Sequence, residues 1–331
     1  MQPSKLEVGD TIAIFSPSAA ATAWAPKRTA RARMYLETKG FKVLSGKLTA
    51  KQDCYRSGSI QERAEELNEL LRNPEVNCIM ATIGGMNSNS LLPYLDYEAF
   101  ARNPKIIIGY SDVTAILLAL YAKTGITTYY GPAFVASFGE FPPLVEQTYD
   151  YWAQIVMQDI QYPYQFQKPS HWTDERLEWE TQIRGKQLVV NTWETVIPGC
   201  AQGRLIGGNL NTMQGFWGSE FFPEIRPGDI LLIEDSLKDA ATIERSFSFL
   251  KVNGVFDRVG GILLGKHEQF DDQGTGRKPS DILLEVIGET TIPILAEFDC
   301  CHTHPMLTLP LGSHVRVDAT KQTVTLLELA E

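Results

Sequence analysis

The stretch KIIIGYSDVTAILLAL, residues 105–120, indicates the fold class of this chain and the chemistry that it could perform. A short β-branched run stops at Gly109, and an apolar pattern typical of a helix begins at Val113. This order predicts a strand, a tight turn and a helix, with Ser111 in the turn. The N-terminus of a helix favours negative charge, so it suits a serine that attacks a carbonyl group and builds an oxyanion.

A simpler interpretation of the same turn is structural. Serine and aspartate are both favoured N-caps, so Ser111 or Asp112 could serve only to cap the helix. The sequence GYSDV also differs from the Gly-x-Ser-x-Gly elbow of common hydrolases. The turn by itself leaves both interpretations open.

Outward from this stretch, the first half of the chain alternates strand and helix patterns. A helix is expected over 27–39, ending at Gly40, and a second over 59–71, where Ser59 and Glu62 have the spacing of a capping box. Strands are expected at 11–15, 41–44, 78–82 and 106–108. This alternation predicts a parallel sheet with helices on both faces, whose ligands gather at the carboxyl ends of the strands.

The second half predicts strands at 230–233, 261–264 and 292–298, a helix at 242–252 and a hairpin over 314–327. We therefore expect an α/β fold with the active site between two domains. The N-terminal domain, 1–165, has a parallel, flavodoxin-like sheet, and a smaller C-terminal β/α domain covers 201–331. Residues 166–200 are expected to form a linker and a mobile loop, although the charged, aromatic run 171–183 also fits a solvated helix.

Composition excludes several classes of protein. The 331 residues carry a formal net charge of -10, which argues against nucleic-acid binding, because phosphate neutralisation needs clustered cations. No apolar run approaches the ~20 residues of a membrane span, and the N-terminal residues lack a signal-peptide pattern. The five cysteines are scattered, so we expect no disulfide framework and a cytoplasmic location.

An activated serine needs a base and a group that orients the base. His302 and His304 lie in a proline-containing loop just after the predicted strand 292–298, where a site on the sheet edge could use them. Glu234 and Asp235 end the run ILLIED; adjacent strand residues point to opposite faces, so at most one can reach a given histidine. Each of the four could also be an ordinary surface residue.

A metal site is the competing interpretation of Cys300-Cys301-His302-x-His304. Adjacent cysteines rarely ligate one zinc ion, and the chain has no distant C-x-x-C pair to complete four ligands. We therefore predict no metal and no cofactor.

Taken together, five segments resemble one family. They are IGGMNSNSLLPYLDY (83–97), GYSD (109–112), GRLIGGNLNT (203–212), ILLIED (230–235) and HTHPMLTLPLG (302–312). In this order they resemble the LD-carboxypeptidase family of serine peptidases, and more closely its branch of microcin C self-immunity peptidases. The resemblance covers nearly the whole chain, so it is far more specific than any single motif.

The resemblance implies a Ser-Glu-His triad of Ser111, Glu234 and His302. Cys301 stands where the family usually has a glycine before the histidine, so His304 remains the alternative base. The oxyanion hole implied by the family is the backbone N–H of Asp112 with an N–H from the double-glycine turn, assigned to Gly85.

The residues after the double glycine match the self-immunity branch rather than the murein-tetrapeptide carboxypeptidases. Those relatives cleave an amide that joins a peptidyl or aminoacyl group to a nucleotide-like moiety, and a tryptophan on a loop stacks on the base. Trp179 is the best match and Trp172 the second, with ordinary packing as the alternative for Trp179. Asn87, Asn209 and Lys238 are the other expected substrate-binding residues.

The resemblance therefore implies a serine amidase of the microcin C-detoxifying, antibiotic-resistance type. It acts on a small peptidyl- or aminoacyl-nucleotide, without nucleic-acid or membrane partners, as a cytoplasmic homodimer. Two alternatives stay open. One is LD-carboxypeptidase action on the terminal D-amino acid of murein tetrapeptides, and the other is a non-catalytic ligand-binding module.

Overall fold

A computed structural model describes residues 2–300 and 302–329. The α-helices within these residues are α1 Ala21–Trp24, α2 Pro26–Thr38, α3 Ile60–Arg72, α4 Tyr97–Arg102, α5 Thr114–Thr124, α6 Leu144–Val156, α7 Leu210–Gln214, α8 Ala240–Val252 and α9 Pro279–Ile287. The strands are β1 Thr11–Phe15, β2 Lys42–Ser45, β3 Cys78–Ala81, β4 Ile106–Gly109, β5 Thr128–Tyr130, β6 Tyr164–Gln165, β7 His171–Trp172, β8 Val189–Val190, β9 Glu194–Ile197, β10 Cys200–Asn209, β11 Ile230–Glu234, β12 Gly261–Gly265, β13 Ile294–Phe298, β14 Leu309–Leu311, β15 His314–Asp318 and β16 Thr323–Glu328.

The first sheet has six strands in the order β14-β5-β4-β3-β1-β2. Strands β1 to β5 are parallel, and their order 2-1-3-4-5 is that of flavodoxin-like sheets. The β-branched run Ile106–Ile108 forms β4 and is at most 1% exposed, as expected for a strand covered on both faces. The expected α/β fold with a parallel N-terminal sheet is therefore confirmed.

Local sequence sets the limits of two helices that accompany the first sheet. Helix α3 begins at the predicted capping box, in which the Ser59 hydroxyl accepts the N–H of Glu62 and the Glu62 carboxylate accepts the N–H of Ser59. Helix α5 follows the Ser111 turn and ends at Gly125, whose left-handed conformation (φ 70°) suits glycine. The first eight residues of α5 are buried, which explains its almost uninterrupted apolar sequence.

The second sheet has eight strands in the order β6-β16-β15-β10-β11-β12-β13-β9. Its central strands β10 to β13 are parallel, and the predicted hairpin β15–β16 pairs antiparallel beside them. Because β11 and β13 run in the same direction, Glu234 and the segment after Phe298 lie at the same edge of this sheet.

Two connections join the halves of the molecule. Strand β14, which follows the histidine loop, crosses to the first sheet and pairs antiparallel with β5. The segment 171–190 is not helical: β7 and β8 form a two-stranded ribbon, and Thr173 bridges to His304. Of the two interpretations of 171–183, the solvated helix is therefore wrong. None of the helices in the described residues has the length and apolar character needed to cross a membrane.

Candidate active site

The serine lies at the point where β4 gives way to α5. Ser111 has φ 62°, a left-handed conformation that is uncommon for any residue other than glycine. Its N–H donates to the Tyr130 hydroxyl at 3.1 Å, and its carbonyl accepts from the Thr114 hydroxyl. The Ser111 side chain therefore projects from the turn at the carboxyl edge of the sheet, which is the geometry of a nucleophile elbow. No side-chain cap from Ser111 or Asp112 to α5 accompanies this turn.

Three side chains from distant parts of the chain meet in series. The Nε2 atom of His302 is 3.0 Å from the Ser111 hydroxyl, and its Nδ1 atom is 2.8 Å from the Glu234 carboxylate. Ser111 comes from the first sheet, whereas Glu234 ends β11 in the second and His302 follows β13. His302 contacts Ser111 and Glu234, while no hydrogen bond from the His304 ring to either of these two residues is among the contacts of the described residues.

The carboxylate of Glu234 is fully buried and held from several sides. Besides His302, it accepts hydrogen bonds from the Tyr130 hydroxyl and from the Asn209 amide at 3.0 Å. Burial by itself raises the pKa of a carboxyl group, but the His302 ring and these hydrogen bonds outweigh it, so the pKa of Glu234 is lowered. The group is therefore an anion that can orient the imidazole and stabilise its positive charge.

The double-glycine turn lies directly against the serine. A Cβ added to Gly84 would be 2.9 Å from the Ser111 Cβ and 3.0 Å from the backbone N of Asp112. The Gly84 carbonyl accepts from Ala19, and in a trans peptide this turns the N–H of Gly85 to the opposite side. The serine turn, which carries the N–H of Asp112, and the double-glycine turn, which carries the N–H of Gly85, are therefore packed together at Gly84.

Buried polar contacts support this pair of turns. The Asp112 carboxylate accepts the N–H groups of Asn87 at 3.0 Å and Ser88 at 2.9 Å. The Asn87 side chain accepts from Arg63 at 2.6 Å and from Ser18 at 2.9 Å. Asn87, expected to bind substrate, is not among the residues that line the cavity and instead braces the turn.

A cavity of about 610 Å³ opens above the serine. Its walls come from the double-glycine turn, the serine turn, the segment 176–186, the start of α7 and the loop after β11. Both Ser111 and His302 line it, so a bound molecule would reach the serine directly. A volume of this size accommodates a ligand of drug or nucleotide dimensions.

One end of the cavity is aromatic. Trp179 lines it and stacks on Trp24, with ring centroids 5.1 Å apart and planes 30° apart. The guanidinium of Arg28 lies 4.4 Å from the Trp179 ring centroid. Trp172, the second candidate, lies in β7 near Lys266 and does not line the cavity. Of the two tryptophans, only Trp179 is placed to contact a ligand there.

A different part of the wall is polar. Lys238 lines it, with its ammonium 3.6 Å from the Asp235 carboxylate, and its backbone N–H donates to the His267 ring. Burial raises the pKa of Asp235, and the neighbouring Glu234 adds to this effect. Asn209 also borders the cavity, but its amide is engaged by Glu234 and by the N-terminus of α7.

Sequence reasoning missed several residues of this site, among them Tyr130, Trp24 and Asn211. Tyr130 joins the Ser111 N–H to Glu234, and its position before Gly131-Pro132, at the end of a short β-branched and aromatic run, was the available signal. Trp24 and Asn211 also line the cavity. Nothing in the spacing around either residue distinguishes it from surface residues.

The described residues contain no group of three or more His, Cys, Asp or Glu side chains that could hold a metal ion. Cys301, part of the metal interpretation, lies outside the described residues. Cys300 is buried, and His302 is bound to Glu234 and Ser111. Of this loop, His302 therefore takes part in a contact series with Ser111 and Glu234 rather than in a metal cluster.

A serine, an imidazole and a buried carboxylate in series beside a cavity define the class of serine hydrolases. Comparison with known families gives the same class. Residues 12–131 match the model of the LD-carboxypeptidase N-terminal domain, and residues 202–317 match that of the LD-carboxypeptidase C-terminal domain. The chain belongs to the LD-carboxypeptidase family.

The chain is similar over almost its whole length to two relatives and to a solved structure. A putative carboxypeptidase of Vibrio cholerae is 57% identical over 97% of this chain and 96% of its own. The microcin C7 self-immunity protein MccF of Escherichia coli is 54% identical over 98% of this chain and 94% of its own. A solved structure of MccF in complex with aspartyl sulfamoyl adenosine superposes with a TM-score of 0.97, at 53% identity, over 100% of this chain and 99% of that one.

Proposed function

We propose that this protein is a serine amidase that uses Ser111, His302 and Glu234 to cleave the bond between an aminoacyl or peptidyl group and a nucleotide-like moiety. The observation that carries the proposal is the unbroken contact series from the Ser111 hydroxyl through the His302 ring to the buried Glu234 carboxylate. Each contact has hydrogen-bond length, and the serine opens on a cavity large enough for such a substrate.

The reaction follows from the geometry. His302 accepts the hydroxyl proton at Nε2 while Ser111 attacks the carbonyl carbon, and Glu234 holds the Nδ1–H and stabilises the imidazolium. The N–H groups of Asp112 and Gly85 donate to the oxyanion, and such a donor typically contributes about 3 kcal/mol. His302 then returns the proton to the leaving nitrogen, and a water molecule activated by the same ring releases the acyl group.

The substrate class is supported by the cavity and by the relatives. The Trp24–Trp179 pair offers a flat aromatic surface to a nucleobase, and such stacking contributes about 1–3 kcal/mol per base. MccF structures hold aspartyl sulfamoyl adenosine, glutamyl sulfamoyl guanosine and, in a tryptophan-to-phenylalanine mutant, adenosine monophosphate. An active-site mutant of MccF replaces a serine, an asparagine and a lysine, the residue types of Ser111, Asn211 and Lys238 in this cavity. By this proposal the protein detoxifies compounds of the microcin C type.

The second candidate is removal of the terminal D-amino acid of murein tetrapeptides. It is favoured by the family models, which are those of LD-carboxypeptidase domains, and by a murein tetrapeptide carboxypeptidase of Pseudomonas aeruginosa that is 25% identical over 77% of this chain. The same serine, base and oxyanion donors would perform either reaction, because both cleave an amide.

The test compares the intact protein with Ser111→Ala on glutamyl sulfamoyl adenosine and on a murein tetrapeptide. We expect the intact protein to turn over the sulfamoyl adenosine much faster than the tetrapeptide. Ser111→Ala should lower turnover of the sulfamoyl adenosine by about 10⁴-fold or more. Ser219→Ala, which removes a hydroxyl that bonds only nearby backbone groups, is the matched control. Equal turnover by Ser111→Ala and the intact protein would rule out the proposed nucleophile, and faster tetrapeptide cleavage would favour the second candidate.

We further propose that the enzyme acts in the cytoplasm and, as the family resemblance implies, as a homodimer. Light scattering on the purified protein measures its mass, and a value near the 37.0 kDa of one chain would contradict the dimer.

A further inference from the structure

A buried lysine in the cavity wall has unused hydrogen-bonding capacity. The Lys186 side chain is 6% exposed, and its ammonium makes a long ionic contact, 3.7 Å, with the Glu140 carboxylate. That same carboxylate oxygen already accepts from Arg28 at 2.8 Å. No hydrogen bond from the Lys186 ammonium is found among the described residues, although an ammonium carries three donors. Because Lys186 lines the cavity, these donors are available to a bound molecule.

A histidine beside it is in a similar situation. His304 is 7% exposed and lines the same cavity, and within 2–300 and 302–329 its buried Nδ1 atom has no hydrogen-bond partner. Two backbone hydrogen bonds with Thr173 fix its main chain. Burial lowers the pKa of His304 well below 6.5, and the charges of Lys186 and Arg28 lower it further. The ring is therefore neutral and offers one N–H donor and one acceptor.

The charges around these two side chains do not balance. Arg28 and Lys186 bring two buried positive charges, whereas Glu140, with no exposed side-chain area, brings one negative charge. Two more carboxyl groups act on Lys186: Glu268, whose pKa is raised by burial, and Glu175, which is already paired with Arg184. A buried positive charge without a full partner is costly, so this part of the wall favours an anion.

The position of this pair identifies the part of the substrate it would meet. His304 lies two residues after the catalytic base His302, and Arg28 joins the cluster to the face of Trp179. Because Lys186 and Arg28 share the Glu140 carboxylate, the pair neighbours the aromatic end of the cavity. The proposed function gives this end to the nucleotide, which is the leaving group. An anionic group there would be next to the scissile nitrogen.

We propose that Lys186 and His304 form a subsite for the anionic group of the leaving moiety, a phosphate-type or carboxylate oxygen. The Lys186 ammonium donates to this oxygen, and the neutral His304 ring donates its N–H to the same group. The inference rests on the proposed function, because that function fixes which side of the cavity receives the leaving group.

Binding to a protein that cannot turn over provides the test. Ser111→Ala is titrated calorimetrically with adenosine monophosphate and with adenosine, which differ only by the phosphate. We expect the monophosphate to bind about 10- to 100-fold more tightly, the range for hydrogen bonds to a charged group. Adding Lys186→Met should bring the two affinities within about twofold, whereas Lys186→Arg, which keeps the charge, should retain most of the preference.

A second pair of ligands distinguishes the two sources of the anion. A tripeptide with a free C-terminal carboxylate is compared with its amide in the same variants. If Lys186→Met removes the preference for the charged ligand only in the nucleotide pair, the subsite is assigned to phosphate-type groups. The same result in the peptide pair alone assigns it to carboxylates, and in both pairs to their shared charge.

The control is Lys105→Met, which removes another buried ammonium, bonded to the carbonyls of Asn73 and Val76 away from the cavity. It should leave both preferences unchanged. If Lys186→Met does not fold, the affinities of the same ligand pairs are compared in His304→Gln instead. Equal preferences in the parent and in the Lys186 and His304 variants would overturn the subsite. Absence of hydrolysis by the intact protein would instead overturn the proposed function, because the binding ratios do not depend on turnover.

Discussion

Removing the hydroxyl of Tyr130 tests whether the triad depends on support from β5. This hydroxyl accepts the N–H of Ser111 at 3.1 Å and donates to the Glu234 carboxylate. Tyr130 is 0% exposed, and burial raises its pKa well above 10, so it acts as a neutral donor. Phenylalanine keeps the ring and the packing, so Tyr130→Phe removes these two hydrogen bonds and little else.

The magnitude follows from the two bonds. A lost hydrogen bond to a buried carboxylate costs about 1.5–3 kcal/mol, and a buried N–H left without a partner costs about 1–3 kcal/mol. We therefore expect the free energy of unfolding to fall by about 3 kcal/mol. If at least half of this free energy stabilises the transition state, kcat/KM should fall by about 10- to 100-fold. Because the hydroxyl helps to lower the pKa of Glu234, the acid limb of the pH–rate profile should move to higher pH.

Tyr129→Phe is the matched control. Tyr129 is the neighbouring residue on the same strand and is 4% exposed, but alternation along the strand turns it away from Ser111 and Glu234. Urea unfolding and steady-state kinetics on glutamyl sulfamoyl adenosine are measured for both variants and the intact protein. If Tyr130→Phe matched Tyr129→Phe in stability, in kcat/KM and in pH profile, the supporting role of Tyr130 would be refuted.

Three further predictions concern residues in or next to the site. Gly84→Ala places a Cβ 2.9 Å from that of Ser111, so we expect at least a 10²-fold loss of kcat with a folded protein by circular dichroism. Burial lowers the pKa of His267 to about 4, so the folded chain binds fewer protons than the unfolded chain between pH 6.5 and 4. Its stability should therefore fall by up to about 3 kcal/mol as the pH is lowered through this window, and His267→Gln should flatten that part of the urea-unfolding profile. Trp179→Ala should raise KM more for nucleotide-bearing substrates than for plain peptides, and an equal rise for both would assign Trp179 to the scaffold.

Much of the fold could be predicted because its signals are local. The capping box at Ser59, the β-branched run before Gly109 and the apolar strand before Glu234 each define an element through neighbouring residues. Helix α6 was missed because it follows Pro142-Pro143 and has no side-chain cap, so its start resembles a loop. Strand β5, only three residues long, is too short for a periodic pattern.

The candidate site, like the fold, could be predicted from the sequence only in part. Ser111 and His302 each follow a strand and Glu234 ends one, so topology alone brings them to neighbouring sheet edges, and motif order makes the assignment specific. The supporting contacts could not be predicted, because they depend on three-dimensional packing. Tyr130 reaches Glu234 across 104 residues, and Lys186 reaches the carboxylate of Glu140 through the fold of the intervening segment.

Because the chain crosses from the second sheet to the first before β14, the two halves of the molecule cannot be separated simply by cutting between them. The histidine loop leaves the second sheet at Phe298 and joins the first at Leu309, so it is fastened at both ends to different halves. A fragment that ended before this loop would carry the nucleophile but leave the edge of β5 uncovered. Two separately expressed pieces, cut in the surface segment before β10, would therefore have to reassemble in solution before either could work.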